Sequence, residues 1–162
     1  MKKYSGPIII LNLIVLLGFF NYSIIQKEDI MEEGQLILLE LAPVDPRSLM
    51  QGDYMRLNYT LSDDILTNTI PKRGYCVVTL DVEGVAHRNR VQKSKSPKSQ
   101  SEFLIEYRIG EWNTIQIGAE SFFFQEGEGE KYAEAKYGGI KVDENGNSVL
   151  IGLYDSNRKK IE

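Results

Sequence analysis

From Ile8 to Ile25 the chain is apolar apart from Asn12, Asn21, Tyr22 and Ser23, and it carries no charge. Counted from Gly6, the run has 20 residues. A helix rising about 1.5 Å per residue crosses a hydrocarbon layer of about 30 Å at that length. Lys2 and Lys3 stand before it and the mixed Gln26-Lys27-Glu28-Asp29 after it. The positive-inside rule therefore sets the N-terminus in the cytoplasm and the remaining chain outside it, with Tyr22 as an interfacial anchor. Bulky Phe19, Phe20 and Tyr22 occupy positions where a cleaved signal peptide requires small residues, and no cysteine follows for lipid attachment. The reading is an uncleaved signal anchor, with the helix continuing briefly over residues 28–34 and stopping at Gly34.

Beyond Gly34 the period changes from that of helices to that of strands. Gln35 to Ala42 is a Leu/Ile run short enough to be a buried strand, ended by Pro43. Asp45-Pro46 has the form of an N-cap followed by a first helical proline, predicting one turn through Met50 that Gly52 ends. Asp53 to Tyr59 then alternates, with Met55, Leu57 and Tyr59 on an inward face and Tyr54, Arg56 and Asn58 on the other. Ser62-Asp63-Asp64 caps a short turn or forms a polar loop. Tyr75 to Val82 and Val85 to Val91, joined at Glu83-Gly84, predict a hairpin. Residues 93–101, rich in Lys and Ser around Pro97, break all periodicity and read as a flexible surface loop. Glu102 to Ile109 and Trp112 to Ile117 predict a second hairpin, followed by a short aromatic strand over Ser121 to Phe124. Gln125 to Lys136 places acids early and lysine late, the arrangement that suits a helix macrodipole, with Gly138-Gly139 closing it. Ile140 to Val142 and Ser148 to Tyr154 flank Asn145-Gly146, the strongest short hairpin signal, before a solvated Arg158-Lys159-Lys160 tail. About nine strands at short spacing predict a mainly β domain. The expected form is an antiparallel β sandwich or partly open barrel with one or two short helices.

Length bounds this to one globular domain plus its anchor: residues 1–27 as cytoplasmic N-terminus and transmembrane signal anchor, 28–34 as juxtamembrane helix or linker, 35–162 as the extracytoplasmic β domain. With Lys2, Lys3 and Lys27 set aside, 16 of the 19 basic residues remain against 23 acidic ones, so a nucleic-acid partner is not expected. Cys76, the single cysteine, has no intrachain partner and reads as a small buried hydrophobe.

No reaction centre emerges, and neither a cofactor nor a metal is expected. His87 is the only histidine, and spacing supplies it no second ligand and no carboxylate partner. Glu126, Glu130 and Glu134 share a helical face that reads as solvated, while Glu128 points away from Glu126 by about 200°. Asp143, Asn145 and Asn147 have spacing reminiscent of a calcium loop, but Gly146 falls too early and a hairpin accounts for all three. Asp45, Arg47 and Asp53 form a charge-capable trio able to lock the turn onto the following strand. Tyr54 leaves the core face and is the residue in this stretch least explained by packing.

Gly52-Asp53-Tyr54-Met55-Arg56-Leu57-Asn58-Tyr59 resembles, at every defined position, the motif that names the bacterial GDYXXLXY family of membrane-anchored proteins. Pro43 to Arg47, Phe122 to Gly127, Gly138-Gly139 and the Asn-Gly hairpin look like that family as well, so the resemblance covers nearly the whole chain. It implies a membrane-anchored domain on the outer side of the bacterial inner membrane. The resemblance further implies a multi-pass integral-membrane protein, of the kind often encoded beside family members, as the partner. It carries over no catalytic residue, and it leaves Asp45, Arg47, Gly52, Asp53, Tyr54, Leu57 and Tyr59 as motif and possible interaction positions. An alternative is a small-molecule or envelope-polymer binding domain, possibly hydrolytic, using the Arg47/Tyr54 region. Leu49-Met50-Gln51-Gly52-Asp53 is also similar to the second half of the Ser-Met-x-Pro-x-Leu-x-x-Gly-Asp pattern of bacterial signal peptidases. In that alignment Val44 takes the nucleophile's place and Arg47 the proline's, and nothing in the spacing brings a base to nearby Ser48.

Overall fold

The computed structural model describes residues 5–42, 54–63, 65–110 and 114–162. Anchor and juxtamembrane segment form one continuous helix, α1 (Ser5–Glu33), whose last bond runs from the Gly34 amide to the Ile30 carbonyl at 3.0 Å. The stretch Ile8–Glu33 is long and apolar enough to cross a membrane, and the apolar window makes no burying contact with the rest of the chain. Ile30, 6% exposed, is the one buried residue of the helix among those described. Nearby, Lys141 Nζ donates to the Glu32 carbonyl at 3.0 Å, and Lys27 Nζ reaches the Ser148 carbonyl at 3.5 Å.

The rest is mainly β, with nine strands among the described residues: β1 (Gln35–Glu40), β2 (Tyr54–Arg56), β3 (Arg73–Leu80), β4 (Ala86–Gln92), β5 (Glu102–Ile109), β6 (Ile115–Gln116), β7 (Ser121–Phe123), β8 (Tyr137–Val142) and β9 (Ser148–Tyr154). They form three antiparallel sheets, ordered β1-β8-β9, β2-β7 and β4-β3-β5-β6. Each of the three predicted hairpins is present, the β8–β9 pair joined through Asn145-Gly146 and the β3–β4 pair through Glu83-Gly84. The 93–101 segment is exposed throughout.

Main-chain hydrogen bonds stitch the sheets together. Leu38 N donates to Gly84 O at 3.0 Å, Glu106 N to Gly146 O at 2.8 Å, Leu57 N to Glu120 O at 2.8 Å and Ala42 N to Asn58 O at 2.8 Å. Their inner faces share one core that includes Ile37, Met55, Val78, Ile105, Tyr107, Ile140 and Leu153. Removing this apolar surface from water is the main favourable contribution to folding.

Three expectations are corrected. The helix over Gln125 to Lys136 shrinks to one turn, α2 (Gly129–Tyr132). Gly127 sits at φ +86°, outside the helical region, and the amides of Lys131, Ala133 and Ala135 bond three residues back, to Glu128, Glu130 and Tyr132, rather than four. Gly138-Gly139 does not close a helix but lies inside β8, where a Cβ on Gly138 would come within 2.8 Å of the Tyr59 ring and one on Gly139 would overlap the Tyr154 ring. The C-terminal tail is only partly solvated: Arg158 pairs with Glu83 at 2.5 Å, and Ile161 N donates to Leu153 O at 2.8 Å.

Candidate functional site

Of the seven positions singled out in the sequence, Asp45, Arg47, Gly52 and Asp53 lie outside the described residues. The other three separate cleanly. Met55, Leu57 and Tyr59 are each 2% exposed, while Tyr54, Arg56 and Asn58 face outward, which is the predicted alternation. Regular pairing covers only Tyr54 to Arg56, and Tyr59 adds a single bridge to Leu41.

Tyr59 is an anchor. Its hydroxyl donates to the Ala119 carbonyl at 2.5 Å and its ring lies over Gly138, so this one side chain ties the β2 segment to both β8 and the approach to β7. Burial, then the neighbouring Glu120 carboxylate, pushes the phenol well above its ordinary range, so it stays protonated and can keep donating. Glu120 accepts from the Ile117 amide and from the Gly118 amide at 3.1 Å, shaping the turn that presents Ala119. Leu57 is core packing, and neither residue is open to a ligand.

Tyr54 is different. It pairs with Phe123 in the two-stranded β2–β7 ribbon, their ring centroids 5.8 Å apart, and it is 40% exposed where Phe123 is 74% exposed. Phe122, the neighbour of opposite phase, turns inward and meets Tyr132 edge-on at 4.8 Å. The ribbon thus carries apolar rings on both faces, with the outer pair left uncovered. A partner surface placed there would bury aromatic area without moving the core.

Other titratable side chains hold turns and strands together. His87 does have a carboxylate partner, which its spacing concealed: Nε2 lies 3.2 Å from Asp81 Oδ2 across the β3–β4 hairpin. The Val85 amide, followed by the Glu83 amide and His87, holds Asp81 below the usual carboxylate range. Asp81 also accepts from the Glu83 and Val85 amides, so this exposed pair is built into the hairpin turn. Glu102 was not anticipated at all. At 7% exposed it receives both Arg90 Nη1 and Nη2 and the Ser99 amide, and the Arg90 contact first, then that amide, lowers its carboxyl to about 2. Its only trace in the sequence is an acid at the start of an apolar strand. Cys76 is fully buried, and desolvation raises its thiol to about 12, which leaves it inert. Asp143 accepts from the amides of Asn145 and Asn147 and from the Asn147 side chain, as a hairpin requires. No group of three metal-ligating side chains converges among the described residues.

With Tyr59, Leu57 and Tyr54 placed, the motif has a structural meaning: two residues face in and one faces out. The sequence pattern of a family described as GDYXXLXY protein matches residues 16–153. The chain belongs to the GDYXXLXY family. The match begins within α1 and ends in β9, so it takes in the second part of the apolar helix and nearly all of the β domain. No curated protein and no solved structure matches the chain.

Proposed function

We propose that this GDYXXLXY protein is a non-enzymatic domain held on the outer face of the bacterial inner membrane. In this reading residues 1–27 supply the cytoplasmic N-terminus and the span, 28–34 the juxtamembrane continuation, and 35–162 the extracytoplasmic domain. Its role is to bind or scaffold a multi-pass integral-membrane partner. The observation that carries the reading is the uncovered Tyr54–Phe123 pair, set beside the family motif on a chain whose apolar helix can hold it at the membrane. The basic residues before the apolar run support the orientation.

The test is cross-linking in cells, followed by detergent solubilisation and quantitative mass spectrometry of what the full chain retains. Wild type is expected to recover a multi-pass membrane protein, and Tyr54→Ser combined with Phe123→Ser to lose it while the melting curve stays the same. Recovery of no membrane protein above control, or equal recovery by the double variant, overturns the reading.

A further inference from the structure

A cavity of about 940 Å³ lies where α1 meets the β domain, bounded by the last turns of the helix, the start of β1, the exposed 93–101 loop and the β8–β9 turn. Ser23, Gln26, Lys27 and Ile30 line one side of it, recurring at the three- and four-residue spacing of a single helix face. Ser23 still belongs to the apolar run and Lys27 is the first charge after it. A helix that spans the bilayer over residues 6–25 therefore puts this cavity at the level of the lipid headgroups.

Its charges are of both signs. Lys27, Lys98 and Lys141 line it together with Asp29, Glu33, Asp143 and Glu144, and none of these seven is in an ion pair among the described residues; Asp143 is taken up by the amides and the Asn147 side chain of its own turn. Among the described residues the hydrogen bonds of Lys27 and Lys141 go to main-chain carbonyls, which are neutral partners for a full charge. Opposite charges sharing a cavity without pairing to each other suit a ligand that is itself a zwitterion. The ammonium groups can meet a phosphate, and the carboxylates can accept from a primary ammonium. A primary ammonium has three N–H donors to offer, whereas a quaternary one has none.

We propose that this cavity holds the phosphate and primary ammonium of a phosphatidylethanolamine headgroup from the outer leaflet. The inference rests on α1 spanning the membrane. The experiment is native mass spectrometry of the full chain in detergent micelles doped with equal amounts of phosphatidylethanolamine, phosphatidylcholine and phosphatidylglycerol. Retention of the ethanolamine lipid is expected to exceed each of the others about tenfold, the ratio that one further charge-assisted contact supplies. Asp29→Asn with Glu33→Gln is expected to bring it down to the choline level, and Lys98→Ala to lower retention of all three. Equal retention of the three lipids by wild type, or undiminished selection by Asp29→Asn with Glu33→Gln, overturns the proposal. Soluble phosphoethanolamine that displaces the lipid mole for mole assigns the site to a free small molecule and overturns the lipid source. Carbonate extraction of cell membranes separates the two readings. A chain released into the supernatant defeats the membrane span, whereas a chain that stays in the membrane but selects no lipid defeats the headgroup site alone.

Discussion

Tyr59 and Tyr54 belong to one motif and have opposite fates, and their difference is measurable. Tyr59→Phe removes the donor to the Ala119 carbonyl and leaves a buried acceptor unsatisfied, while the ring over Gly138 is retained. The expected loss is about 1–3 kcal/mol of unfolding free energy by urea titration, with partner recovery unchanged in the folded protein. A loss of recovery without a loss of stability would instead make Tyr59 a contact residue. Glu102 supplies the second test at this scale. Its folded-state carboxyl lies near 2, depressed from the ordinary 4.5 by Arg90 and then by the Ser99 amide. A depressed acid contributes stability above its unfolded value, and that contribution fades as pH falls through the folded value. Glu102→Gln is therefore expected to be less stable than wild type at pH 7, with the gap closing between about pH 4.5 and 2. Thermal melts of both proteins across that range check it. A gap that stays constant with pH would remove Glu102 as the source.

At the scale of elements, α1 has two parts with different surroundings. None of the apolar window is buried, whereas Ile30 is buried, Lys27 reaches β9 and the Glu32 carbonyl accepts from Lys141 of β8. Deleting residues 1–26 while keeping Lys27 onward is thus expected to leave a soluble domain that unfolds cooperatively. Its midpoint should lie within about 4 °C of the parent's, equivalent to a change of under 1 kcal/mol. Circular dichroism during heating reads this directly, and a broad or absent transition would show that the span supports the fold. The same scale explains the helix that shortened. Acids early and lysine late are consistent with a helix, but Gly127 at positive φ breaks it before it begins, and the chain must reach β8, where Lys136 N donates to Tyr154 O at 2.8 Å. Gly138-Gly139 looked like a helix stop because the sequence does not reveal that two tyrosine rings, from positions 59 and 154, occupy the space their side chains would fill.

In the whole molecule, three small sheets close around one core, held together by main-chain hydrogen bonds between segments far apart in sequence, such as Glu106 to Gly146. The sequence by itself determined the apolar helix, because 20 uncharged residues in a row are a local fact, and the three hairpins, because their turns and flanking strands are contiguous. It also determined which of Tyr54, Leu57 and Tyr59 faces in, since alternation along a strand needs no partner to be read. Tertiary structure alone decided what each outward or charged residue meets: Phe123 beside Tyr54, Asp81 beside His87, Arg90 around Glu102, and the β8–β9 turn opposite the end of α1. The physical reason is that period and turn chemistry act between neighbours in the chain. The identity of a contact depends instead on which strands pair, in what register and in what order, and that is settled only when the separate apolar faces are buried together.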